Sequence, residues 1–249
     1  MALANSGAGG EGPRPVTQSE AERLAMMRFN VYEGGPHRVT LTIDNGTDSY
    51  VVRGLVDYRT HRAVGSYAAG KAGPGQQKGL IAWDLSGLAV ATGAKGTSPS
   101  SGVAKIVRAT AEVPDARWSP RAYAGYPLDT ALRVMMALGA DRPDNAQLLA
   151  QSGPLRLGES TLRGTSYTRI SGPRPKPQVG GEAGKTASPQ PRPTGTSPLT
   201  YWVDGQGELG RLEIRSGGTE RPVTVDFTGH ETRVKVPKEP WGESAPRGR

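Results

Sequence analysis

Cysteine is absent from the 249-residue chain. That excludes disulfides, zinc ribbons, iron–sulfur sites and thiol catalysis. Long apolar runs are absent too. No stretch approaches the roughly 18 residues of a membrane-spanning helix, so the chain is expected to be soluble. Histidine is scarce: His37, His61 and His230 lie far apart, with no HExxH-type spacing. No G-x-S-x-G elbow is present, which argues against a serine hydrolase of that type. Gly7, Gly9 and Gly12 fit G-x-G-x-x-G by letter, but no strand precedes them, so they make no dinucleotide fingerprint. Gly184-Lys185-Thr186 echoes the end of a phosphate-binding loop, yet Val179 stands where the first glycine of that loop belongs.

Glycine and proline are plentiful, at 35 and 21 residues, near the level where low-complexity sequence begins. Part of the chain therefore lies outside any packed core. Lys and Arg number 31 against 23 acidic residues, giving +8. A basic balance suits nucleic acid, anionic lipid or plain solubility. No helix carries a run of Arg and Lys, and no basic stretch is interleaved with aromatics, so nucleic acid is not expected as a partner. A solvated basic surface is the simplest reading, with attraction to an anionic membrane surface next.

Residues 1–16 are small and glycine-rich and read as a flexible linker. They lack the apolar core of a signal peptide. Thr17 and Glu20 then form a capping-box pattern. Ala21, Leu24, Ala25, Met27 and Val31 follow at helical spacing, and Gly34-Gly35-Pro36 ends the helix near Glu33. Period two takes over at Arg38–Asp44, where Val39, Leu41 and Ile43 alternate with polar residues. Asn45-Gly46 is a hairpin signal, and Tyr50–Tyr58 is the returning strand. Arg62–Ala69, Gly79–Asp84 and Leu88–Thr92 continue the series, and Lys105–Ala111 reads as one more short strand. Pro114–Tyr126 is irregular. Pro127–Leu138 reads as a helix with Leu132, Met135 and Met136 on its apolar side, and Asp141 is expected to cap a second helix through Leu148 and Leu149. Residues 154–171 are extended. Residues 172–198 form a Pro/Gly-rich tract with too little apolar side chain to repay its ordering, so a disordered insertion is expected. Strands return at Leu199–Asp204, Leu209–Arg215, around Val223–Phe227 and at Val234–Val236, before a polar tail at 238–249.

Strands in runs, with helices between them, make an α+β protein rather than a βαβ series. Each sheet block alone would leave a large apolar face open, so one domain over 17–237 is preferred to a division near 115 or 172.

The capped N-terminal helix, the Asn45-Gly46 hairpin, the strand Ile81-Ala82-Trp83-Asp84, the central helix Leu128–Leu138 and the late hairpin 199–214 carry a resemblance. In that hairpin, Tyr201-Trp202-Val203-Asp204 leads into Gly205-Gln206-Gly207, then Leu209 and Leu212. In order and texture these segments resemble the LolA/LppX-like superfamily of bacterial lipoprotein carriers and lipid-binding envelope lipoproteins. The resemblance implies a curved antiparallel sheet, an incomplete β-barrel, covered on its concave face by about three helices. It implies a non-enzymatic, extracytoplasmic protein of the cell envelope. The partner would be a lipid or other hydrophobic small molecule, with an anionic membrane surface or another envelope protein as further partners. Members carry a signal sequence and a lipidated cysteine, so an anchor or signal upstream of residue 1 is expected.

The expected cavity lining is Val39, Leu41, Ile43, Val51, Leu55, Trp83, Leu132, Met135 and Met136. Alternation selects the first three, and helical spacing the last three. Methionine suits a wall that repacks around variable chains, although ordinary core is the simpler role for both methionines. Burying a methylene is worth roughly 0.8 kcal/mol, so an alkyl chain needs no polar constellation to bind. Trp118, in the irregular stretch, is a candidate flap residue, against a loop tacked onto the domain. Asp57, Asp84 and Asp204 read as turn caps rather than a catalytic pair. No metal and no cofactor is expected. The rival readings are a regulatory module of the same fold with a filled core, binding protein or cell-wall polymer, and less favourably an envelope hydrolase.

Overall fold

The structure is a computed structural model and describes residues 12–44, 46, 49–73, 75–94, 101–173, 197–216 and 221–238. Most of the expected 172–198 insertion and nearly all of the polar tail lie outside the described residues.

The described chain is α+β. It begins with a two-residue strand, β1 (Arg14–Pro15), inside the segment expected to be linker. Helix α1 (Gln18–Glu33) follows, opened by the capping box: Thr17 and Glu20 accept from each other's backbone N–H. Gly35 turns the chain out of the helix at φ +78°. Five strands come next: β2 (His37–Asp44), β3 (Ser49–Asp57), β4 (Arg62–Gly70), β5 (Gln77–Asp84) and β6 (Gly87–Thr92). The expected strand at 105–111 is instead a helix, α2 (Val103–Glu112). Its two buried side chains, Ile106 and Thr110, are four residues apart and share one helical face. The 114–126 stretch contains a 3₁₀ turn and a short strand, β7 (Ser119–Ala122).

Helix α3 (Pro127–Met136) has proline in its first turn, as the sequence suggests. The next cap is not Asp141. Helix α4 (Ala146–Gln151) starts four residues later, and Asn145 caps it by accepting from the Leu148 N–H at 3.0 Å. The extended stretch is a hairpin, β8 (Leu155–Leu162) and β9 (Thr165–Ser171). Strands β10 (Leu199–Val203), β11 (Leu209–Ile214) and β12 (Val223–His230) complete the set; the expected strand at 234–236 is not formed.

All twelve strands join one antiparallel sheet in the order β1-β8-β9-β10-β11-β12-β2-β3-β4-β5-β6-β7, not closed into a barrel. The two sequence blocks meet at its middle, where β12 pairs with β2. The main core lies on one face, called the first face. It draws on Leu24, Met27 and Val31 of α1, Leu132, Met135 and Met136 of α3, and inward residues from β2 to β12, with Leu149 of α4 packed against it. A second cluster lies on the other face. There Ile106 of α2 and Trp118 pack on Val64, Leu80, Ala82, Ala89 and Ala91. Trp118 is thus a core residue of the second face rather than a flap.

Register places Val51 and Leu55 as well. Val39 faces Gly54 and Leu41 faces Val52, so the even-numbered positions of β3 share the first face. Val51 pairs with Thr42 and Leu55 with Arg38, which puts both on the second face. Strand β3 is apolar on both sides because α2 covers β3 and β4 there.

Candidate functional site

Seven of the nine expected lining residues come together. Val39, Leu41, Ile43, Trp83, Leu132, Met135 and Met136 share the first-face core, and Leu41, Trp83, Leu132, Met135 and Met136 are completely buried. They pack on one another as core. Val51 and Leu55 do not join them.

The open space lies on the same face, displaced toward β10. An open cleft of about 720 Å³ is bounded by α1, the end of α3, α4 and the start of β10. Leu24, Met27 and Arg28 supply the α1 wall, being neighbours at helical spacing. Val134, Ala137 and Leu138 come from α3 and the residues after it, and Leu199 and Tyr201 form the sheet floor. Leu148 and Leu149 of α4 close one side, and Leu148 is 64% exposed at the mouth. None of the nine expected residues lines this cleft.

Its charged groups gather at one place. The Arg28 guanidinium meets Asp144 at 3.3 Å, and also donates to the carbonyls of Leu138 (3.3 Å) and Ala137 (3.2 Å). These two carbonyls end α3, where a cation is favoured by the helix dipole. Backbone bonds hold the connecting segment onto α1: Ala140 N–H donates to the Arg28 carbonyl and Asp144 N–H to that of Ala25, each at 3.1 Å. Tyr201 lies beside the pair, and burial pushes its phenol above the ordinary value, so it stays neutral. Asn145 and Ser152 are the remaining polar lining groups. The arrangement offers a greasy trough with a small polar end.

A second, smaller cavity of about 320 Å³ lies under the β8–β9 hairpin tip, lined by Arg163, Tyr167, Phe227 and their neighbours. Arg163 holds a left-handed backbone, φ +53°, and donates to the Phe227 carbonyl at 2.8 Å. The tip is thereby fastened over the end of β12.

Two histidines far apart in sequence become neighbours through the β2–β12 pairing. His37 and His230 face each other with ring centroids 4.3 Å apart. His37 is buried, and its Nε2–H donates to the Val31 carbonyl at 2.9 Å. Burial, and the His230 ring next to it, lower its pKa to about 4. It is therefore a neutral structural histidine at neutral pH. Among the described residues no group of three or more His, Asp or Glu gathers to hold a metal.

The carboxylates expected in turns are there. Asp57 accepts from the Arg59 N–H, Asp84 from the N–H groups of Ser86 and Gly87, and Asp204 from those of Gln206 and Glu208. Two other carboxylates organise the fold; the sequence signals Glu20 only as a helix cap and gives no signal for Asp129. Asp129, fully buried in the first turn of α3, takes a two-pronged bond from Arg121 of β7 at 2.6 and 2.7 Å. Glu20 takes two bonds from Arg14 of β1 and lies 3.3 Å from Arg156 of β8. Trp202 faces the second face, stacked between Arg169 and Arg211, which flank it directly in register.

No protein-family model and no curated protein matches the chain.

Proposed function

We propose that this protein is a non-enzymatic carrier or sensor that binds a lipid or acyl chain between its helices and one face of its sheet. The cleft bounded by α1, α4 and β10 carries the reading. Its volume of about 720 Å³ falls within the range typical of small-molecule sites, and its walls are mostly aliphatic. On this reading the sheet is the incomplete barrel of the LolA/LppX-like proteins, with α1, α3 and α4 over its concave face. The extracytoplasmic location rests on that resemblance alone. Among the described residues, no helix is long and apolar enough to cross a membrane.

The test is binding of an uncharged environment-sensitive fluorescent probe, with mass spectrometry of an organic extract of the purified protein. Leu148→Asp puts a charge at the greasy mouth of the cleft. It should weaken probe binding by about tenfold while leaving the melting temperature nearly unchanged, because Leu148 is 64% exposed. A wild-type protein that neither binds the probe nor carries extractable lipid would sink the proposal.

A second reading is favoured by one observation. Seven expected lining residues are sealed in the core. A module of the same fold with a filled core would use its surface to bind another envelope protein or a cell-wall polymer. Absence of lipid binding, together with a partner retained on immobilised protein, selects it.

A further inference from the structure

We propose that the cleft selects chains with an uncharged polar head, such as esters, alcohols or amides, and that Asp144 is the residue that excludes carboxylates. The inference rests on the lipid-binding reading above. Arg28 is the one cation and Asp144 the one anion among the described residues lining the cleft. An unengaged arginine there would attract an acidic head. Arg28 is engaged on all three guanidinium nitrogens: one NH group reaches both oxygens of Asp144 at 3.3 and 3.4 Å, the other bonds the Ala137 carbonyl, and Nε bonds the Leu138 carbonyl. An incoming carboxylate would have to displace Asp144 and would meet its charge in a partly desolvated place. Asp144 is itself held, since its N–H donates to the Ala25 carbonyl and it directly precedes the α4 cap Asn145.

The remaining polar groups are neutral and hydrogen-bonding. Tyr201, Asn145 and Ser152 belong to the lining; Asn145 Oδ1 already accepts from the Leu148 N–H, and the Ser152 hydroxyl already donates to the Leu149 carbonyl. That leaves the Tyr201 hydroxyl and the Asn145 NH2 as uncharged donors for an ester carbonyl or a hydroxyl. Like-charge rejection of this kind gives specificity more than affinity.

The experiment is competition against the uncharged probe at pH 8, using dodecanoate and methyl dodecanoate on the full chain. The ester is expected to displace probe at a concentration lower by about tenfold or more. An ester is greasier than a carboxylate in any apolar site, so the variants decide. Asp144→Asn should raise dodecanoate affinity relative to that of the ester by about tenfold. Asp144→Glu should keep the wild-type preference. Leu148→Lys, at an exposed position, supplies an uncommitted cation by another route and should also narrow the gap, which keeps the test decisive if Asp144→Asn does not fold. Dodecanoate binding wild type as tightly as the ester overturns the inference, as does a gap left as wide by Asp144→Asn or, where that variant does not fold, by Leu148→Lys. Failure of both compounds and of the probe to bind would instead bring down the lipid-binding reading itself.

Discussion

Glu20 is where residue-level chemistry controls the most structure. One carboxylate closes the α1 cap, ties β1 to the helix through Arg14, and approaches Arg156 of β8. The paired bonds from Arg14 lead in lowering its pKa from 4.5 to about 2, outweighing the opposing effect of burial. A folded-state pKa below the unfolded one means that the stabilisation is complete above about 4.5 and is lost as pH falls toward 2. Glu20→Gln should therefore cost about 2 kcal/mol at pH 7, kept modest by the partial exposure of Arg14. Its denaturation midpoint should converge on that of wild type as pH is lowered through that window. Asp129 differs in kind. Asp129→Ala removes a fully buried carboxylate that holds Arg121 and the Ala124 N–H, and should destabilise by about 3 kcal/mol in urea titration. The N-terminal half of the Glu20 constellation was legible as a Thr-x-x-Glu pattern. The Arg156 contact was not, because it joins residues more than a hundred positions apart through the sheet.

At the scale of elements, legibility followed burial on one side. Strand β2 alternates cleanly because its polar positions point away from the core, and its extent was readable to within a residue. Strand β3 is apolar on both sides, so pattern alone could not say which set of residues faces which way. Val51 and Leu55 fell on the wrong side for that reason. Helix α2 was misread on its content: Val103, Ile106, Val107 and Thr110 do stand at helical spacing, but Val, Ile and Thr favour strands. The cleft was illegible as a site, since its polar pair joins α1 to a segment beyond α3. Ile106→Ala tests the separation of the two faces. It should cost about 2–4 kcal/mol by opening a cavity under α2. Probe binding by the folded fraction should be unchanged, since the cleft lies across the sheet.

For the whole molecule the decisive fact is a single sheet shared by both sequence blocks. Trp83 belongs to one block and Trp202 to the other, each buried. Tryptophan fluorescence and far-ultraviolet circular dichroism should therefore report one coincident unfolding transition. Single-tryptophan reporters at 83 and 202 should give the same midpoint. Two separated midpoints would mean that the blocks unfold independently.

The meeting of β12 with β2 also sets a timetable. Strand β2 leaves the ribosome long before the strand that completes its other edge, which begins only at Val223. At usual rates of synthesis of about 5–20 residues per second, β2 waits on the order of ten seconds or more with one row of backbone donors and acceptors unmatched. A nascent chain of this architecture is vulnerable to aggregation during that interval, and it would benefit from a holding chaperone until β12 arrives.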